Sequence, residues 1–350
     1  MKALRASWRS CGLSLIELMV AMSIGCTVIA GVLALYAQVR STYRVNERIA
    51  RLQEQGRFVL SVIEPDVELA GYYGFTNVAD SVRLVRGSSP GITIATAEQL
   101  RQFPARVGDP LPAAVTGLPP GAHACGVNFA VDVTLPVQGS NDGFALGRNA
   151  TCKPYLSRAQ VGSDTLTLRR VATESSAAEA GRIQIYASRL ASRTNQLMFT
   201  DGNAPGALDA NHRIHDFVVR TYYVARDSVA QSNFPALRVK TLTRSGSGVV
   251  FDDDEVMPGI EDLQVQFGID LRGSGRATQY VNPDHPDLPR LQVVAVRIWL
   301  RIRSDEREID LDDVRTYRYA NVTYTPSGAE RRFRRVLMSR TVTLRNARTG

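Results

Sequence analysis

Histidine and cysteine are scarce. The chain has 350 residues and only four of each. No histidine stands beside a credible nucleophile, so a catalytic triad is not expected. Lysine is rarer still, and nearly all of the 42 Lys and Arg residues are Arg. They are spread along the chain and form no dense block with interleaved aromatics, so despite a net charge of +8 a nucleic-acid face is not expected. Solvated strand faces account for them. Ser247 lies between Gly246 and Gly248 but lacks the Gly-x-Ser-x-Gly spacing of a nucleophile elbow. The glycines there are too few to cradle a phosphate. No internal repeat, low-complexity tract or Cys-x-x-Cys pair is present. No enzyme, cofactor or small-molecule substrate is expected.

Long apolar runs are also few, and the one at 13–37 is the most informative stretch. It carries a single carboxylate, Glu17, near its start. An acidic residue at a membrane-helix centre costs roughly 3 kcal/mol, and less near an end. Before the run lies a short leader with Lys2, Arg5 and Arg9 and no acid. The positive-inside rule then places the leader in the cytoplasm. About 25 residues make roughly 37 Å of helix, enough to span a hydrocarbon core with some tilt. A cleaved secretory signal would be shorter and end in Ala-x-Ala, for which Ala34–Ala37 is a weak match.

The residues Gly12, Leu13, Ser14, Leu15, Ile16, Glu17 and Leu18 resemble the class III signal of type IV pilins and type II secretion pseudopilins. The resemblance implies that a prepilin peptidase cuts after Gly12 and that Leu13 becomes the N-methylated first residue. The family more often has Phe there. Glu17 is then the fifth mature residue, the assembly carboxylate, paired with the α-amine of a neighbouring subunit. Opposite charges attract strongly in a low-dielectric bundle, and either one alone is costly there. The bland alternative is an anchor whose Glu17 reaches the membrane interface.

Beyond the bilayer the pattern predicts a continuing amphipathic helix. Val45, Ile49, Leu52, Gly56, Val59 and Ile63 recur at spacings of three and four. Pro65 is expected to kink or end it nearby, with Gly71 as a C′ residue after a last turn. Leu69-Ala70-Gly71-Tyr72-Tyr73-Gly74 is similar to the corresponding region of PilW-type minor pilins. Many members have Cys near the position of Phe75, which implies a different disulfide arrangement here. From Val82 on, short strands are predicted at Gly91–Ile94, Phe129–Val137, Thr165–Val171, Ile183–Ala187, Phe217–Ala225, Ala236–Thr243, Asp262–Ile269, Leu291–Arg303 and Phe333–Leu344. The clearest alternates Val294, Val296, Ile298, Leu300 and Ile302 with a mostly basic face, as in a sheet solvated on one side. Loops are expected at Phe103–Gly121, Asp201–Asn211 and Gly273–Pro289. Val256–Asp270, Val294–Ser304 and Arg334–Asn346 resemble PilW-family stretches.

The expected fold class is α+β and pilin-like, a long N-terminal helix packed on an antiparallel sheet. The expected divisions are a leader at 1–12, a transmembrane assembly helix at 13–37, an amphipathic half at 38–71 and a β-rich domain at 72–350. Within it 76–250 is the variable part.

Cys11 falls in the leader and Cys26 in the apolar helix. Cys125 and Cys152 are the exported pair and read as one disulfide, in preference to a metal or redox pair. Asp252, Asp253, Asp254 and Glu255 could offer oxygens to Ca²⁺, but without EF-hand spacing a solvated turn is favoured. A second acidic stretch, Asp305 to Asp313, could pair with Arg or bind metal. His212 and His215 are expected in a loop with only Asp209 and Asp216 near, as surface residues and not a zinc site.

The resemblance implies a minor pilin that primes assembly with other minor pilins and sits at the pilus tip. Expected partners are those minor pilins, the major pilin, prepilin peptidase, the inner membrane and an adhesin-like tip protein. The domain would be periplasmic before reaching the cell surface. The alternative is a J-type pseudopilin of a type II secretion system. A membrane-anchored periplasmic enzyme and a DNA-uptake pilin are the other competitors.

Overall fold

The computed structural model describes residues 14–77, 82–84, 118–147, 151–190, 196–246, 248–288 and 291–347. The leader, Gly12, Leu13 and the predicted strand Gly91–Ile94 lie outside the described residues, as does most of the predicted loop Phe103–Gly121. The chain divides into two units, Met1–Arg51 and Leu52–Gly350.

One helix, α1, runs Leu15–Glu68. In the first unit its side chains are mostly exposed. In the second, Leu52, Gly56, Val59, Ile63, Val67 and Ala70 are buried, the stripe that spacing predicts. Gly56 lies where a Cβ would run into Met338 Sδ and Ile302 Cδ1, so the missing side chain leaves room for the ends of those two side chains between helix and sheet. The helix ends at Glu68, soon after Pro65 as expected, and in the last turn Leu69 N–H reaches Pro65 C=O at 3.1 Å. Pro65 is exposed, whereas Asp66, Val67 and Ala70 beyond it are buried. Burial of that last turn outweighs the roughly 3 kcal/mol cost of a helical proline. Gly71 then takes φ +79° and closes the helix, as its position predicts.

Fourteen strands follow among the described residues. They are β1 (Val82–Leu84), β2 (Val137–Ser140), β3 (Thr165–Val171), β4 (Ala180–Ser188), β5 (Gln196–Asp201), β6 (His212–Ala225), β7 (Ala236–Ser245), β8 (Gly248–Pro258), β9 (Ile260–Ile269), β10 (Gln279–Val281), β11 (Val293–Arg307), β12 (Tyr317–Tyr319), β13 (Val322–Tyr324) and β14 (Phe333–Thr343). One sheet has the order β1-β5-β4-β6-β3-β2, with β7 on β6 and β8 on β7. A second has the order β10-β9-β11-β14, and β12 and β13 form a hairpin. Every pairing is antiparallel except β1 with β5. The architecture is α+β.

Among the described residues two large apolar cores form, and a third, small cluster joins Tyr186, Phe199 and Ile214. The first joins the α1 stripe to the inner faces of β9, β11 and β14 and to Leu166, Leu168 and Tyr222. The second gathers residues 122–133 and Cys152 over β4, β6 and β8.

Three predicted segments need correction. Phe129–Val137 is not a strand. Phe129–Val131 is a 3-10 turn, and β2 begins only at Val137. All three turn residues are buried, and a short apolar run buried on every side carries no period that separates strand from turn. The acidic run Asp252–Glu255 is not a turn but part of β8. Its poor strand propensity is offset by Arg238 and Lys240, which stand opposite Glu255 and Asp253 on β7. The predicted loop Gly273–Pro289 contains the short strand β10.

Candidate functional site

The site is the start of α1. Ser14 is its N-cap. Ser14 Oγ accepts the Ile16 N–H at 3.2 Å, and the Glu17 carboxylate accepts the Ser14 N–H at 3.0 Å. This is a capping box, with Glu17 at the third helical position. Such a cap stabilises a helix by about 1 kcal/mol. The Ser-x-x-Glu spacing was legible in the sequence but was not read. Further along, Ser23 and Thr27 donate their hydroxyls back to Val20 and Ser23 carbonyls. Their polarity is thereby turned inward, and apolar atoms cover the helix.

Leu15, Ile16, Met19, Met22, Ile24, Val28 and Val32 are all more than half exposed. The most apolar 18-residue window of α1 has nothing buried and is long and apolar enough to cross a membrane. Cys26 is a free, exposed thiol on this surface.

In the second unit, Cys125 and Cys152 are bonded, with Cα atoms 5.2 Å apart, and both are buried in the second core. The remaining candidates are absorbed by structure. His212 and His215 lie in β6, not in a loop. His212 stacks on Tyr186 and pairs with Asp209 at 2.6 Å. His215 is buried rather than surface, with Nδ1 2.9 Å from the Ala172 carbonyl. Asp253 pairs with Arg238 at 2.8 Å and Lys240 at 3.0 Å. The second acidic stretch pairs within the chain, Glu308 with Arg334 and Asp313 with Arg315. Among the described residues no group of three or more His, Cys, Asp or Glu could hold a metal ion.

Two buried charge clusters were missed by sequence reasoning. Asp66, on the last turn of α1, accepts hydrogen bonds from Arg170 at 2.8 Å, Arg220 at 3.0 Å and Tyr222 Oη at 2.7 Å. Burial, then the Asp66 charge, pushes the Tyr222 hydroxyl well above its ordinary pKa. The second cluster overturns the expectation of a solvated basic face on β11. Arg301 and Arg303 are buried. Arg301 and Arg335 converge on Glu261 at 2.9 and 2.8 Å, and Arg303 pairs with Glu330 at 3.0 Å. Burial alone would raise the Glu261 carboxyl, but the two guanidiniums outweigh it and hold it below the usual range. Neither cluster has a local sequence signal, because the partners lie tens of residues apart.

A long, exposed, apolar helix capped by a carboxylate and continuing onto an antiparallel β domain defines the class: a pilin-like α+β protein. The family described as Type IV Pilus-assembly protein W matches residues 221–346, and the prokaryotic N-terminal methylation motif matches residues 9–33. Both agree with the resemblance drawn from Gly12–Leu18 and from Val256 onward, and they are consistent with a PilW-family type IV pilin. They support a pilin role. The motif and the apolar helix fit membrane anchoring and association with a pilus. No curated protein matches the chain. A solved type IV-like pilin from Thermus thermophilus matches at 14% identity and a TM-score of 0.24, covering 53% of this chain and 78% of that one.

Proposed function

We propose that this chain is a minor pilin that joins other minor pilins in the complex that primes pilus assembly and caps the pilus tip. Prepilin peptidase cleaves after Gly12, and Leu13 becomes the methylated N-terminus. The subunit then waits in the inner membrane with its β domain in the periplasm. The observation that carries this is Glu17, the single carboxylate in the exposed apolar stretch 14–37 of α1, which lies within the residues 9–33 that match the methylation motif.

The cap geometry supports the assembly step. Glu17 turns back toward the chain start to hold Ser14 N–H, which places its carboxylate at the end where cleavage would create an α-amine. In a bundle of such helices, the amine of one subunit meets the carboxylate of the next, and register is set by charge. The β domain selects neighbours.

Mass spectrometry of the native N-terminus is expected to find methylated Leu13. Glu17→Leu is expected to abolish incorporation into sheared pili while leaving the chain in the membrane. Normal pili containing the variant would overturn the proposal. A defect in protein secretion with intact pili would favour the J-type pseudopilin.

A further inference from the structure

We propose that the open half of the outer face of the β10-β9-β11-β14 sheet docks an acidic, extended polypeptide segment of a neighbouring pilus subunit, with Arg297 as the charge it meets. The proposal rests on the pilin assignment but concerns a different surface from Glu17.

The argument starts from alternate residues of one strand. Arg297, Arg301 and Arg303 project from the same face of β11. Arg301 lies under Tyr324, 3.6 Å from the ring centroid, and is neutralised by Glu261. Arg303 is neutralised by Glu330. The β12-β13 hairpin supplies Tyr319 and Tyr324, so the chain covers this half of the face itself. Arg297 has the same aromatic arrangement, with Tyr280 at 3.7 Å and Trp299 at 5.8 Å. Its Nε donates to Thr341 Oγ1 at 3.2 Å. Among the described residues no carboxylate pairs with it. Tyr280 can lie flat because the residue opposite it on β9 is Gly268, where a Cβ would stand 3.0 Å from the Tyr280 ring. A guanidinium held between rings is pre-organised for a carboxylate, and the covered half shows what completes it.

The neighbouring edge says the carboxylate comes on a polypeptide. Among the described residues β14 ends the sheet and pairs only β11. Leu344 N–H points to Val294 on β11, so along the regular ladder the even residues face inward and the odd ones outward. The outward groups at the two ends are used, since Arg335 C=O accepts from Arg315 and Arg345 N–H donates to Glu68 C=O. Between them Leu337, Ser339, Thr341 and Thr343 present N–H and C=O groups that pair with no strand among the described residues. Ser339, Thr341 and Thr343 are exposed. Such an edge accepts another strand, and a sugar chain cannot match its ladder.

The test places a benzophenone side chain at position 339 of the full-length chain in piliated cells. Ultraviolet light is expected to join it to a second pilus subunit, at a peptide that mass spectrometry shows to contain Asp or Glu. Arg297→Gln and Arg297→Glu are expected to lower adduct yield at least about tenfold, the scale of one lost charge-assisted bond. Arg297→Lys keeps the charge and is expected to retain most of it. The non-reducing mobility of the Cys125–Cys152 disulfide reports that each variant has folded. An adduct that is undiminished in the folded Gln and Glu variants, that maps to a segment without acids, or that proves to be carbohydrate overturns the proposal. So does the absence of any adduct while Glu17→Leu still blocks piliation, an outcome that leaves the pilin assignment standing.

Discussion

Asp66 is the residue on which the end of α1 depends. It is 2% exposed and meets Arg170, Arg220 and Tyr222 together. Truncating one partner of a buried charge cluster leaves the others uncompensated, at a cost of about 3 kcal/mol. Asp66→Ala is expected to lose that much in thermal unfolding of the detergent-solubilised chain, and Pro65→Ala to lose nothing. Asp164 sets a pH dependence. Its carboxylate accepts N–H bonds from Asp142 at 2.8 Å and Val265 at 2.9 Å, and burial pushes its pKa up to about 7. The unfolded carboxyl ionises near pH 4. Between those values the folded chain holds a proton that the unfolded chain has released. Stability from this group is therefore greatest below about pH 4 and falls as pH rises to about 7. The melting temperature of Asp164→Asn, followed across that window, is expected to lack this decline.

At the scale of elements, the helix–sheet contact rests on shape. Gly56→Leu would drive a side chain into Met338 and Ile302, and a loss of about 1–3 kcal/mol is expected in the same melt. The disulfide ties residues 125 and 152 across a separation of 27, and Cys125→Ser with Cys152→Ser is expected to cost about 3–4 kcal/mol. Much of this scale was legible beforehand. Thr165–Val171 alternates and is β3, and Val294 to Ile302 alternates and is buried in β11. The Cys pair followed from its count and compartment. What failed did so for physical reasons. Asp252–Glu255 forms a strand only because Arg238 and Lys240 stand opposite, and Arg301 is buried only because Glu261 and a hairpin from residues 317–324 close over it. Such pairings are properties of the fold and leave no mark within a ten-residue window. The capping box is the opposite case, since Ser14 and Glu17 were visible at their proper spacing.

For the whole molecule, the decisive contrast is between its two units. The first shows an exposed apolar helix, and the second buries its apolar cores behind arginine-carboxylate clusters. Carbonate washing is expected to leave the chain in the membrane pellet, because roughly 25 apolar residues anchor it irrespective of peripheral charge. The proposed cleavage after Gly12 and pairing of Glu17 would involve a processed N-terminus and a neighbouring subunit, and a single chain holds neither.

The Asp66 cluster has a mechanical meaning. Three donors on β3 and β6 grip one side chain of α1, so tension transmitted along that helix would strain their bonds simultaneously instead of one after another. A subunit hauled by its helix would resist being unravelled from that point, and the force needed to detach the domain would drop sharply once this single anion was removed.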